Sequence, residues 1–495
     1  MSRSTLPRRL GAAVSAVALL ALPALGATAP KEDAVGRAAA GITAASAFRT
    51  VEALASPDMA GRLSGTEGYA KAVDFVVSEV KKAGLRPLAE LPDYRQAFTH
   101  GLGGVESASL TVLPAEGEKD AAPAEAEVLS DWSPMVNGGG GDVTAEVVFA
   151  GFGISAPAAG RDDYANLDVK GKVVLVLRGE PEAGEWKEHR TTVARTLAAA
   201  KLGAAGFLLV DSPVISTNVG ISRDLPEAMV SEAFADRLLA GKKLTVAELK
   251  KVLSKGGLAS FPTGRKVRLA VKTRPWRDAT THNVVAVLPG SDPALKGEYV
   301  LVGAHLDHIG DWPRLNPGAD DNASGSAALL EVARAVASMK ERPRRSIVFA
   351  WFAAEELGLR GAEHYARNPP ASVGKCIAML NLDMFGAGNG LYVAGGDNFP
   401  EIRAAVEASR DRLVPGFNLK SGKIRGEARA DHGPFFEKGI PAVSFFASGG
   451  DHHGYHSPDD TVYFVTPKTM ESGARVVFGA AVALADAAPQ TPQRR

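Results

Sequence analysis

Apolar residues recur at helical spacing through ASAFRTVEALAS and GTEGYAKAVDFVVSEVKKAGL, which predicts helices between about Ala45 and Leu85. The polar stretch SPDMAGRLSGT separates them as a loop, and Gly84 stands where the second helix should stop. From Leu110 the pattern changes to short β-rich runs: SLTVL, AEVVFAGFGI, GKVVLVLRG, AAGFLLVD and RKVRLAVKT. Helical patterns fall among them at RTTVARTLAAAKLGA, SEAFADRLLAG and TVAELKKVLSKGG. Short strands with a few helices predict a compact α+β module of about 130 residues.

A second pattern starts at His282. HNVVAVLPG and EYVLVGAHLDH read as strands, SGSAALLEVARAVASM as a strong helix, and RRSIVFAWFAAEE and CIAMLNLDMFG as buried strands. Continuously apolar strands alternating with helices predict an α/β fold, a mixed and mostly parallel sheet with helices on both faces. In such sheets function collects at the carboxyl ends of the strands.

Composition narrows the picture without changing it. The 495 residues are 45% hydrophobic and 23% charged, with 56 basic residues balancing 56 acidic ones, so two or three globular domains are expected. A neutral balance gives no basic footprint for nucleic acid. The lone cysteine, Cys376, excludes an intrachain disulfide and reads as a small buried apolar residue. Arg3, Arg8 and Arg9, the apolar run Leu10 to Leu25 and small residues around Ala24, Gly26 and Ala29 form an export signal, expected over residues 1–29. That run is too short, and carries Pro23, for a membrane span, so the mature chain is expected in the periplasm or outside the cell, without an anchor. The paired arginines leave general and twin-Arg export both open.

The strand ends carry the chemistry. GAHLDH supplies His305, Asp307 and His308; GADDNASG supplies Asp320, Asp321 and Asn322; AAEELG supplies Glu355 and Glu356; LNLDMFG supplies Asp383; DHHGYHSPDD supplies His452, His453 and His456. Imidazoles and carboxylates converging from separate strands suit zinc, whereas an all-oxygen set would suit magnesium or calcium. On an extended strand His305 and Asp307 face the same way, so the carboxylate can hold the ring of a metal-binding histidine. Each motif alone also has a plain structural reading: GADDNASG as a turn and helix cap, the glutamate pair as acids at a helix start. Their combination is what argues for a site.

The ordered set AHLDH, GADDNASG, AAEELG, NLDMFG and YHSPDDT resembles the family-28 metallopeptidases, which include secreted bacterial aminopeptidases and glutamate carboxypeptidase relatives. The resemblance covers about residues 45–110 and 275–485, including LASPDMAGRLSGTEG. It implies two zinc ions about 3.5–4 Å apart sharing a water that acts as nucleophile. By the same resemblance His305 and Asp383 would bind one ion, Glu356 and His456 the other, and Asp321 both. Asp307 would steady His305, Glu355 would be the general base and Tyr455 would stabilise the oxyanion. The Asp321–Asn322 peptide would be cis. His452 and His453 compete with His456 for the ligand role, while His308, His364 and His432 read as structural or rim residues. Asp431 and His432 resemble a segment that shapes the substrate pocket. VFAGFGISAP, DDYANLDVKGKVVLVLRG and AAAKLGAAGFLLVD resemble a protease-associated domain. The expected organisation is a catalytic domain over 30–125 and 272–487, interrupted by that domain over 126–271. The implied substrate is a peptide with a free amino terminus. A carboxypeptidase or dipeptidase, a one-zinc glutaminyl-cyclase-like transferase and a non-catalytic receptor remain as alternatives. The oligomeric state is open.

Overall fold

The structure is a computed structural model that describes residues 31–488 except 116, 119–120, 136–139, 214–224 and 425–427. The expected signal segment lies outside the described residues. Thr43 opens the helix Ala44–Leu54 by accepting the Ser46 N–H, and Thr66 opens Glu67–Lys82 by accepting the Tyr69 N–H. Gly84, at φ +78°, ends the second helix in the left-handed region that a side chain would disfavour.

Among the described residues, one 14-stranded sheet runs through the molecule. Its order is Asn418–Gly422, Gly390–Ala394, Ala442–Ser448, Lys375–Leu382, Glu298–His305, Ser346–Phe352, Ser260–Leu288, Gly141–Ala150, Val173–Leu177, Gly206–Val210, Glu227–Val230 and Trp132–Pro134, with Arg95–Leu113 pairing on Ser260–Leu288 and Ala124–Glu125 on Arg95–Leu113. The three strands Lys375–Leu382, Glu298–His305 and Ser346–Phe352 are mutually parallel, and so are Gly141–Ala150, Val173–Leu177, Gly206–Val210 and Glu227–Val230. This is the mixed, helix-covered α/β architecture that the apolar pattern predicts.

One feature departs from that pattern. RKVRLAVKT and HNVVAVLPG, which read as separate strands, belong to the single strand Ser260–Leu288, and SLTVL is only the end of Arg95–Leu113. The two pair antiparallel from Arg95 opposite Val284 to Leu113 opposite Lys266, with irregularities at His100/Leu102 and Val105/Ser107. One end of Ser260–Leu288 pairs with Gly141–Ala150 and the other with Ser346–Phe352. The ribbon therefore belongs to both halves of the sheet.

Burial explains why each half holds together. Val284 and Ala286 join the core beneath Ala44–Leu54, Gly325–Ser338 and Pro467–Asp486, while Val285 and Val287 face Tyr365 and Phe435 on the opposite side. That alternation is the period of two expected of a strand. Each fully buried leucine such as Leu329 or Leu330 contributes about 1.5–3 kcal/mol. Trp351 is fully buried, and its indole N–H donates to the Ser326 carbonyl at 3.1 Å, tying sheet to helix. In the other half every residue of Val173–Leu177 and Gly206–Val210 is buried, and separate apolar clusters cover the two faces. Cys376 is buried, as expected, and burial pushes its thiol up to about 12. Among the described residues no helix is long and apolar enough to cross a membrane.

Candidate metal centre

Three parallel strands deliver the first residues to one place. His305 ends Glu298–His305, Glu355 and Glu356 follow Ser346–Phe352, and Asp383 follows Lys375–Leu382. Asp321 comes from the turn before Gly325–Ser338, and several bonds lock that turn. The Asn322 amide oxygen accepts the N–H groups of Gly325 at 2.9 Å and Met384 at 3.2 Å, while its NH2 donates to the Leu382 carbonyl at 3.0 Å. Asp320 accepts the Gly386 N–H at 2.7 Å. Asp460, from the SPDD segment, accepts the N–H groups of Asp320 at 2.8 Å and Asp321 at 3.0 Å. The Asp321–Asn322 peptide is cis.

Within this frame the donor atoms converge. His305 Nε2 lies 3.3 Å from Asp383 Oδ1 and 3.3 Å from Asp321 Oδ1. His456 Nε2 lies 3.3 Å from Asp321 Oδ2 and 2.9 Å from Glu356 Oε2. The two oxygens of Asp321 thus address different imidazoles. A grouping by ligand-atom distance alone places Glu355 with His305 and Asp383, and Glu356 with His305 and Asp321, each set within 4.8 Å. The ion-pair distances bring His456 to Glu356 and so define the two pairs more sharply.

Electrostatics separates the adjacent glutamates. Burial works against ionising Glu356, yet His456 and His308 hold it at about 2. Burial, opposed by His305 but reinforced by Glu356, Asp431 and Asp383, pushes Glu355 well above the usual carboxyl range. Burial alone would keep His305 neutral, but Glu355, Asp321 and Asp383 drive its imidazole well above the usual histidine range. His456 is raised in the same way by Glu356 and Asp321.

Around these groups the structure refines the sequence expectations. Asp307 is fully buried, but His305 Nδ1 meets its backbone carbonyl at 3.2 Å, with the carboxylate at 3.8 Å. The strand ends at His305, and the Asp307 carboxylate still stands beside the same ring nitrogen. The Asp307 carboxylate also accepts the Glu355 N–H at 3.2 Å. His308, which the sequence pattern leaves as structural, is fully buried with Nδ1 2.9 Å from Glu356 Oε1. It holds the oxygen of Glu356 that His456 does not meet. His452 lies 2.5 Å from Asp320 and His453 stands at the exposed rim, so neither joins the donor cluster. His364 stacks on Phe98.

Arg62 explains the LASPDMAGRLSGTEG segment. Fully buried, it donates to the carbonyls of Leu306 at 3.0 Å, Leu54 at 2.6 Å, Pro317 at 2.7 Å and Gly318 at 2.9 Å. It therefore clamps the loops that carry Asp307 and Asp321 against the end of the helix Ala44–Leu54.

A cavity of about 350 Å3 opens on the cluster, lined on one side by His305, Asp321, Glu355, Glu356 and Asp383. Met384, Ala394, Ile424, Phe446 and Tyr455 form much of the rest. Tyr455 stacks on His456 with ring centroids 3.9 Å apart and stays half exposed. His432 also lines the cavity, buried and with neither ring nitrogen hydrogen-bonded, and burial lowers it to about 4. Asp431 is fully buried beside it.

The donor set fits zinc. Two imidazoles and three carboxylates meet at the floor of the cavity, and the ion pairs of Asp321, Glu356 and Asp383 run to histidines. The buried guanidinium of Arg62 feels Asp321 and Glu356 but donates to carbonyls. Buried carboxylates that outnumber the imidazoles they meet suit a bound cation.

Comparison with known proteins agrees with this geometry. The profile of peptidase family M28 matches residues 283–481, and that of the PA domain matches residues 143–238. An aminopeptidase of Pseudomonas aeruginosa is 28% identical over 412 residues, covering 81% of this chain and 69% of that protein. Leupeptin-inactivating enzyme 1 of Streptomyces exfoliatus is 30% identical over 264 residues, 53% of this chain and 55% of that protein. The fold is shared with an aminopeptidase from Aneurinibacillus sp. strain AM-1, at TM-score 0.66 and 23% identity over 92% of this chain and 96% of that one. It is shared too with BSAP, a zinc aminopeptidase from Bacillus subtilis, at TM-score 0.66 and 21% identity over 90% and 95%. Residues 283–481 therefore carry a peptidase family M28 domain, and residues 143–238 a PA domain that precedes the strands ending in the donor cluster.

Proposed function

We propose that the chain is an exported zinc-dependent aminopeptidase that uses two zinc ions. The observation that carries this reading is Asp321, whose Oδ1 faces His305 and whose Oδ2 faces His456, each at 3.3 Å. One carboxylate between two donor pairs suits two cations: His305 with Asp383, and His456 with Glu356. Bound there, the ions would supply Lewis acidity and lower the pKa of water near neutrality.

The chain's own residues do the rest. Glu355 lines the cavity without belonging to either pair, and its raised pKa suits it to take up a proton and return it to the departing amine. Asp307 fixes the Glu355 backbone and, through its carbonyl, the tautomer of His305. Tyr455, at the cavity beside His456, would donate its hydroxyl to the oxygen that gains charge. The carboxylates favour a substrate ammonium, and the apolar wall a substrate side chain. In this reading the catalytic domain comprises 30–125 and 272–487, with the PA domain over 126–271.

A second reading has one observation behind it: Arg429, exposed at the same cavity, could meet a substrate carboxylate. One experiment separates the two. A peptide acetylated at its amino terminus should not be cleaved, and the same peptide amidated at its carboxyl end should be cleaved normally. The reverse pattern establishes a carboxypeptidase.

A further inference from the structure

The segment after His456 ends in a short turn, Val462–Phe464, that packs near the turn carrying Asp321 and presents aromatic side chains to solvent. Tyr463 is 84% exposed and Phe464 37%. Single exposed apolar residues are ordinary on any surface. These two touch each other edge to face with centroids 5.1 Å apart, and His453 lies against Phe464 at 4.7 Å. Two residues beyond His453 stands Tyr455, which lines the cavity and is 49% exposed, so it marks the mouth.

The turn is held firmly from both ends. On one side Asp460 accepts the N–H groups of Asp320 and Asp321, and on the other the Thr466 N–H donates to the Gly386 carbonyl at 2.7 Å. The backbone of the turn is therefore held relative to the donor cluster, so little backbone order is lost when something binds there.

We propose that Tyr463, Phe464 and His453 form a subsite for the second to fourth residues of the peptide substrate, favouring aromatic or large apolar side chains there. The inference rests on the aminopeptidase reading. With a first residue in the cavity, the remaining chain would leave along the rim that Tyr455 shares with His453, two residues away in sequence. The row spans the two centroid separations of 4.7 and 5.1 Å, which an extended peptide crosses in about three residues. Aromatic rings recognise one another by edge and offset contacts, and the row offers both an exposed edge and a face.

The test compares three substrates on wild-type enzyme: leucine amide, a leucyl peptide with alanine at positions two to four, and the same peptide with phenylalanine there. Wild type should favour the phenylalanine peptide in kcat/KM by roughly two- to tenfold, the range of one or two aromatic contacts. Tyr463→Ala should erase most of that preference and leave leucine amide hydrolysis unchanged. Phe464→Leu, which keeps an apolar side chain at a half-buried position, should lower the preference in part. Equal preference in wild type and Tyr463→Ala overturns the subsite. So does a variant that slows leucine amide as much as it slows the peptides, because the turn would then act only through the fold. A wild-type enzyme that cleaves none of the three overturns the aminopeptidase reading itself.

Discussion

The two halves of the long sheet bury charge in opposite ways. In the PA half, Arg161 pairs with Asp163 at 2.7 Å, and Asp163 also accepts the N–H groups of Phe152 and Ile154 at 3.0 Å each. A basic side chain answers the acid, as a structural pair should. In the peptidase half, Asp321, Glu356 and Asp383 converge with histidines, and the buried arginine beside them, Arg62, is bonded to carbonyls. Both halves use the same kind of sheet, with parallel strands feeding loops at their ends. The difference lies in what the loops carry. One set answers its buried aspartate with an arginine of its own, and the other leaves a surplus of acid that a bound cation would balance.

The largest effect that sharpens this contrast belongs to the adjacent glutamates. Glu355→Gln keeps the shape and leaves both donor pairs intact, so kcat should fall about 10²–10⁴-fold while bound zinc stays constant. Glu356→Gln replaces an anionic donor by a neutral one, so zinc content should fall with activity and added zinc should restore part of the rate. Measuring zinc and kcat on both variants decides the matter. If Glu355→Gln sheds metal while Glu356→Gln keeps it, the two roles are reversed.

A smaller effect should come from the PA half. Arg161→Leu leaves the Asp163 carboxylate buried without its partner and should destabilise the protein by about 3–5 kcal/mol in denaturant unfolding. The folded fraction should still hydrolyse an aminoacyl amide within about twofold of wild type, because that pair is remote from the donor cluster. A loss of zinc in this variant would mean that the two halves are coupled through the shared ribbon.

What could be seen in the sequence follows from the same contrast. The donor candidates were legible because each sits at the end of an apolar strand or in a short motif of fixed order. His308 shows how such a signal can be passed over. It stands directly after His-x-Asp, yet only the three-dimensional structure shows its ring against Glu356. Arg62 was hidden for another reason: its partners are backbone carbonyls, three of them about 250 residues away, and carbonyls leave no mark in residue type. The long ribbon was divided because Gly101, Gly103 and Gly104 in one strand, and Pro262 and Pro275 in the other, look like strand ends. An antiparallel partner along its length carries the ribbon through those interruptions. His-x-Asp predicts Asp307 beside His305, but not that its backbone carbonyl, at 3.2 Å, comes nearer the ring than its carboxylate at 3.8 Å.

The most direct test of the surplus-acid account is the metal content of the purified protein. The account predicts close to two zinc equivalents per chain, loss of activity when a strong chelator removes them, and recovery on adding zinc. One equivalent at full activity would contradict the pairing of His305 with Asp383 and His456 with Glu356 around Asp321. Full activity with no bound metal would contradict the account entirely.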